Sequence, residues 1–110
     1  MNKVIFLGRV TKDPVIKSGE GTTIANFSLA IDRYGKQGED SQADFPRITL
    51  FGKNAEHAQQ YVKKGQLVLV EGYVRTNSFT NKDGDKVYTT DFIGERFKIL
   101  IWNTTDSKEE

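Results

Sequence analysis

Two segments of the sequence alternate aromatic and basic side chains with a period of two residues. Residues two positions apart share one face of a β-strand. In the segment 45–51, one face would carry Phe45, Arg47, Thr49 and Phe51. The other face would carry Pro46, Ile48 and Leu50, of which Ile48 and Leu50 suit burial in a core. Aromatic rings and a guanidinium group would then face solvent together, which predicts base stacking and phosphate pairing with a single-stranded nucleic acid.

The segment 67–79 repeats this arrangement. Val68, Val70 and Val74 suit the core. The opposite face would carry Tyr73, Arg75, Asn77 and Phe79. The alternative interpretation is that the exposed phenylalanines pack beneath a helix or in a subunit interface.

Around these segments the sequence predicts strands, one helix and a hairpin. Apolar and alternating runs predict strands at 4–7, 24–31, 45–51, 67–74 continuing towards residue 79, and 87–93, with a short final strand at 97–102. Between the third and fourth strands, Asn54 is a candidate helix cap, apolar residues follow at helical spacing, and Gly65 is a stop signal. Asp83 and Gly84 predict the turn of a long hairpin.

This order predicts an all-β fold. Five mainly antiparallel strands, one short α-helix between strands 3 and 4, and a long β-hairpin between strands 4 and 5 match a five-stranded Greek-key barrel of the oligonucleotide-binding type, the OB-fold. The alternative is a split sheet packed on the helix.

Composition limits the class of protein. The chain has 110 residues, no cysteine, one histidine and a formal charge of +1, which predicts one small domain without disulfides or cysteine-based zinc sites. We expect a cytoplasmic protein without a membrane segment, because the apolar run at the N-terminus is short and interrupted by Gly8 and Arg9. Residues 1–103 form the predicted domain, with 15 basic and 12 acidic residues, and 104–110 a disordered polar tail.

Several segments resemble those of a known family. These are NKVIFLGRVTKDP, ANFSLAI, RITLFGKNAE, YVKKGQLVLVEGYVRT and DKVYTTDF. Together they resemble the bacterial-type single-stranded DNA-binding proteins, including relatives encoded by phages, from residue 2 to about residue 97. The resemblance implies a homotetramer built from two dimers. It also implies sequence-independent binding and protection of single-stranded DNA during replication, recombination and repair.

The resemblance also suggests the binding residues. Bases would stack on Tyr34, Phe45, Phe51 and Phe79, and the strand faces add Tyr73 as a fifth candidate. Phosphates would be contacted by Lys3, Arg47, Lys53, Lys64 and Arg75. One departure is on the hairpin, where Asn77 and Ser78 replace residues that are often basic in the family.

A second departure concerns the chain end. Typical bacterial members continue into a flexible linker and an acidic tip that recruits replication and repair enzymes, whereas this sequence ends at Glu110. We therefore expect no tip-mediated recruitment and favour a phage-encoded protein, with a competence-type paralogue or a trimmed chain as alternatives.

Other functional classes remain as alternatives. Catalysis would need convergent carboxylates or a nucleophile with its base, and His57 on a solvent-facing helix position has no predicted serine or cysteine partner. Asp83 and Asp85 flank a glycine turn and do not indicate a metal loop. We expect no enzyme activity, no cofactor and no metal. An OB-fold module that binds RNA, or an accessory protein of the primosome, remains the alternative, because stacking platforms do not distinguish the two nucleic acids.

Overall fold

The chain folds mainly into β-strands with one short helix, as predicted. The computed structural model describes residues 1–19, 21–33 and 42–102. The elements are β1 (Val4–Val10), β2 (Val15–Gly19), β3 (Thr22–Asp32), β4 (Ala43–Asp44), β5 (Arg47–Phe51), α1 (Lys53–Tyr61), β6 (Leu67–Thr80) and β7 (Lys86–Ile101). Within these ranges, no helix has the length and apolar character needed to cross a membrane.

The hydrogen-bonded strands form a closed ring. Neighbouring strands follow the order β1, β6, β7, β5, β3 and β2. The ring closes because β1 pairs with β3 as well as with β6, with Arg9 opposite Ala30. All pairs are antiparallel except β5 with β7, where Ile48 lies opposite Phe92. Two short strands, β2 and β4, add to the five that the sequence predicts, and both pair with the edge of β3.

The final strand is not separate, contrary to the prediction for 97–102. β7 runs without a break from Lys86 to Ile101. Its register against β6 shifts where Gly72 lies opposite Gly94 and Glu71 lies opposite Arg96, which leaves Glu95 without a partner in the ladder. A bulge of this kind bends a strand without ending it.

Two glycines allow close contacts around this bulge. A Cβ atom added to Gly72 would lie 1.8 Å from the carbonyl oxygen of Ile93, and one added to Gly94 would lie 2.5 Å from Cδ2 of Leu50. Both distances are shorter than heavy atoms allow. Glycine is therefore required at position 72, where the clash would be with backbone, whereas a side chain at position 94 would force the Leu50 side chain to shift.

The core lies inside the ring and beneath the helix. The predicted inward positions of β5 are confirmed, because Ile48 and Leu50 are buried. Ala25, Phe27 and Leu29, which alternate along β3, are buried beside them. The predicted cap of α1 is wrong. The helix begins after Gly52, whose φ of 65° favours glycine, while the Asn54 side chain donates a hydrogen bond to the carbonyl of Glu95. Asn54 thus ties the helix to β7.

Candidate nucleic-acid interface

One face of the sheet, directed away from the core, carries much of the predicted site. We call it the outer face, and it comprises Arg47, Thr49 and Phe51 of β5, Tyr73 and Arg75 of β6, and Asp91 and Ile93 of β7. The parallel pairing of β5 with β7 sets Thr49 opposite Ile93, and the antiparallel pairing of β6 with β7 sets Tyr73 opposite the same residue. Ile93 is 5% exposed yet lies outside the main core cluster. Tyr73 is half-buried and Arg47 is exposed.

Phe51 and Arg75 are in direct contact on the outer face. The guanidinium carbon of Arg75 lies over the Phe51 ring, 5.7 Å from its centroid, within the range of a cation–π interaction. Phe51 is half-buried and Arg75 is exposed. The two predicted contacts, one for a base and one for a phosphate, therefore form a single unit.

Phe45 does not share this face, contrary to the strand prediction for 45–51. Pro46 has no N–H group for the ladder, and β5 begins only at Arg47. Phe45 instead lines an open apolar groove of about 430 Å³, together with Phe6, Ile31, Asp44, Pro46 and Phe92. Its ring is 63% exposed. The structure thus offers Phe45 to solvent but separates it from Phe51.

A second groove borders Arg47. It measures about 290 Å³ and is lined by Thr11, Lys12, Asp13, Val15, Asn26, Phe27, Ser28 and Arg47. The Thr49 hydroxyl donates a 2.8 Å hydrogen bond to Oδ1 of Asn26 across β3 and β5. Sequence reasoning missed Lys12 and Asn26 as site candidates. The polar alternation of the second predicted strand was a signal for Asn26, whereas Lys12 lies in the link between β1 and β2, which has no periodic signal.

The long hairpin exposes an aromatic residue on each of its faces. Phe79 is 54% exposed and lies opposite Val87, whereas Tyr88 is 73% exposed and lies opposite Ser78. Directly paired residues share a face, so the two rings point to opposite sides of the hairpin. Tyr88 was not among the predicted site residues. Its neighbours Val87 and Thr89 occupy the other face of the strand, so a period of two would have placed Tyr88 on the opposite face.

The remaining predicted cations lie in three different places. Lys3 forms an ion pair of 2.5 Å with Glu71, which also lies 3.5 Å from Arg96. The hydrogen bond from Lys3 lowers the pKa of the Glu71 carboxyl below its ordinary value. Lys53 is exposed at the first position of α1. Lys64 is exposed, and its backbone N–H donates to the Asp13 carboxylate, beside the Arg47 groove. Tyr34 lies outside the described residues.

β1 presents an exposed apolar surface on the side of the ring that carries Lys3. Ile5 is 63% exposed and Leu7 is 47% exposed. Leu7 pairs with Leu69 of β6, and Leu69 lines a shallow groove of about 330 Å³ with Glu71, Arg96, Phe97 and Lys98. Contiguous apolar surface of this kind is typical of interaction sites.

Exposed rings beside cations on a closed ring of strands are typical of proteins that bind single-stranded nucleic acid. Comparison with known proteins agrees with this class. Residues 1–100 match the single-strand binding protein family. The chain therefore belongs to that family.

Three relatives from bacteria illustrate the similarity. The chain is 41% identical over 109 residues to single-stranded DNA-binding protein 3 of Clostridium acetobutylicum, covering 97% of this chain and 76% of the relative. It is 43% identical over 102 residues to the single-stranded DNA-binding protein of Clostridium perfringens, covering 91% and 66%. It is 35% identical over 113 residues to single-stranded DNA-binding protein 1 of Staphylococcus aureus, covering 100% and 72%. The expected phage origin stays a prediction.

Proposed function

We propose that this protein binds single-stranded DNA without sequence preference and protects it during replication, recombination and repair. The observation that carries the proposal is the outer face, where Phe51, Tyr73 and Arg75 lie together beside Arg47. The family membership and the names of the relatives support DNA as the ligand. No step of this function requires catalysis, a cofactor or a metal.

Stacking would supply most of the binding energy. The proposed platforms are Tyr34, Phe45, Phe51, Tyr73 and Phe79. Each stacked base contributes about 1–3 kcal/mol and is accepted regardless of its identity, because every base has a π-face. This chemistry accounts for a binding surface on a chain whose formal charge is only +1.

Phosphates would be held by a small number of placed cations. We assign this role to Arg47, Lys53 and Lys64, and to Lys3 at the edge of the surface. Lys3 shares its charge with Glu71, so it should attract a phosphate less strongly than Arg47. Arg75 differs from these residues because its guanidinium already lies over an aromatic ring.

The proposed architecture is a five-stranded OB-fold barrel in a homotetramer built from two dimers, located in the cytoplasm. The closed ring of β1, β6, β7, β5 and β3 supports the barrel. The exposed Ile5 and Leu7 of β1 support a subunit interface, because apolar surface of this kind is stabilised by burial.

A titration with oligo(dT) of increasing length, combined with mass determination in solution, tests binding and assembly together. We expect saturable binding by an oligomer and a defined number of nucleotides per protomer. Competition of poly(dT) with poly(U) at fixed salt tests the choice of nucleic acid, since affinities depend on salt. Equal affinity for the two polymers would favour the RNA alternative.

A further inference from the structure

Arg75 is placed differently from the other cations of the site. Its guanidinium carbon lies 5.7 Å from the centroid of the Phe51 ring, and the side chain remains exposed. The Phe51 ring thus lies on one side of the guanidinium group, and the exposed position of Arg75 leaves room for a ligand on the other side. A guanidinium plane is itself a surface on which nucleobases stack. Phe51, by contrast, is half-buried and already has a cation over its face.

The neighbourhood of Arg75 contains a carboxylate. Asp91 lies directly opposite Arg75 in the ladder of β6 and β7, so the two side chains share the outer face. Asp91 does not form an ion pair with Arg75 within the described ranges. Its carboxylate instead accepts a 3.1 Å hydrogen bond from the Asn77 amide. The negative charge of Asp91 would repel a phosphate that approaches Arg75. A base carries no net charge and would not be repelled.

We propose that Arg75 is a stacking platform for a nucleobase, held in position by the Phe51 ring, and not a phosphate contact. The base would then lie on the side of the guanidinium group that faces away from the phenyl ring. This inference rests on the proposed binding of single-stranded DNA and changes two roles within it, because Phe51 then supports the Arg75 guanidinium.

The Arg75→Lys variant separates the two roles. Lysine keeps the positive charge but lacks the planar group. If a base stacks on Arg75, we expect Arg75→Lys to bind oligo(dT) about tenfold more weakly than the wild type. The loss should disappear in a Phe51→Leu background, because the ring that orients the guanidinium is already absent. Thermal unfolding of each variant identifies any loss of fold.

Arg96→Lys is the matched control. Arg96 is an exposed arginine on β7 that contacts Glu71, and among the described residues it makes no cation–π contact. We expect the affinity of Arg96→Lys for oligo(dT) to stay within about twofold of the wild type, because surface ion pairs contribute little. A salt titration of the Arg75→Ala variant measures how strongly its affinity for oligo(dT) depends on salt concentration. Loss of one phosphate contact on a single strand lowers the salt slope by about 0.7, and a stacking role predicts a smaller change.

Three results would overturn the proposal. These are wild-type affinity in Arg75→Lys, an equal loss in both Phe51 backgrounds, or a full decrease of about 0.7 in the salt slope of Arg75→Ala. Failure of the wild type to bind oligo(dT) would contradict the proposed function itself and is therefore distinguishable from these results.

Discussion

The rings of Phe6 and Phe92 meet edge to face at an interplanar angle of 89°, with centroids 5.1 Å apart. They form the bottom of the groove whose rim carries Phe45. Phe6 and Phe92 are half-buried and pack against the core, whereas Phe45 is 63% exposed. The groove thus combines rings that stabilise the fold with a ring that is free to stack on a base.

Phe45→Ala should weaken binding of oligo(dT) by about 1–3 kcal/mol, the contribution of one stacked base. The free energy of unfolding should change little, because the ring has few buried contacts to lose. Fluorescence titration and urea unfolding measure the two quantities.

Phe92→Ala is the matched control in the same groove. We expect it to lower the free energy of unfolding by about 1–3 kcal/mol, since it removes a ring packed against the core. If Phe45→Ala instead destabilised the fold and left affinity unchanged, Phe45 would be a packing residue.

The hairpin allows a comparison between its two faces. Phe79→Ala should weaken binding by about 1–3 kcal/mol, while Tyr88→Ala should have a smaller effect, because the Tyr88 ring points to the opposite side. The same oligonucleotide titration measures both variants. A larger loss for Tyr88→Ala would move the path of the strand to the other face of the hairpin.

Arg47→Ala should weaken binding to all sequences alike and lower the salt slope by about 0.7, as expected for one lost phosphate contact. Affinities for oligo(dT) and oligo(dC) over a range of salt concentrations measure both effects. Lys98→Ala removes an exposed positive charge from β7 outside the proposed site and serves as the control. An unchanged slope in Arg47→Ala would show that Arg47 does not contact a phosphate.

Glu71 should contribute to the dependence of stability on acid. In the folded state, the hydrogen bond from Lys3 lowers the pKa of the Glu71 carboxyl below its ordinary value of 4.5. The stabilisation is therefore present above pH 4.5 and is lost as the pH falls through the lowered value. Glu71→Gln should be less stable than the wild type at pH 7, and this difference should shrink at pH 3.

Urea unfolding at both pH values tests this expectation, with Glu56→Gln on the exposed side of α1 as the control. A Glu71→Gln deficit that is equal at pH 3 and pH 7 would assign the effect to packing of the side chain and not to its charge.

Periodicity predicted the strand faces correctly wherever the alternation continued without interruption. The inward positions of β3 and β5 follow directly from a period of two, since one face of each strand is buried. The Asp83 and Gly84 turn also predicted the hairpin, and Gly84 has a φ of 86°. The predicted start of β5 was wrong because Pro46 lacks the N–H group that the ladder needs, so the strand begins at Arg47. The predicted break before residue 97 was wrong because Glu95 is an extra residue in a bulge. Both effects depend on the pairing with a neighbouring strand.

The sequence alone predicted a fold of mostly β-strands with one short helix, and it suggested which residue types would contact a single-stranded nucleic acid. Local spacing suffices for both conclusions, because each strand places its own side chains. Only the tertiary structure decided which of these residues meet. Arg75 lies over Phe51 and beside Asp91 because β5, β6 and β7 are joined in one sheet, with a parallel pair between strands far apart in the chain. Contacts between distant segments are set by the order and register of the β-strands, and the residue pattern of one β-strand does not contain this information.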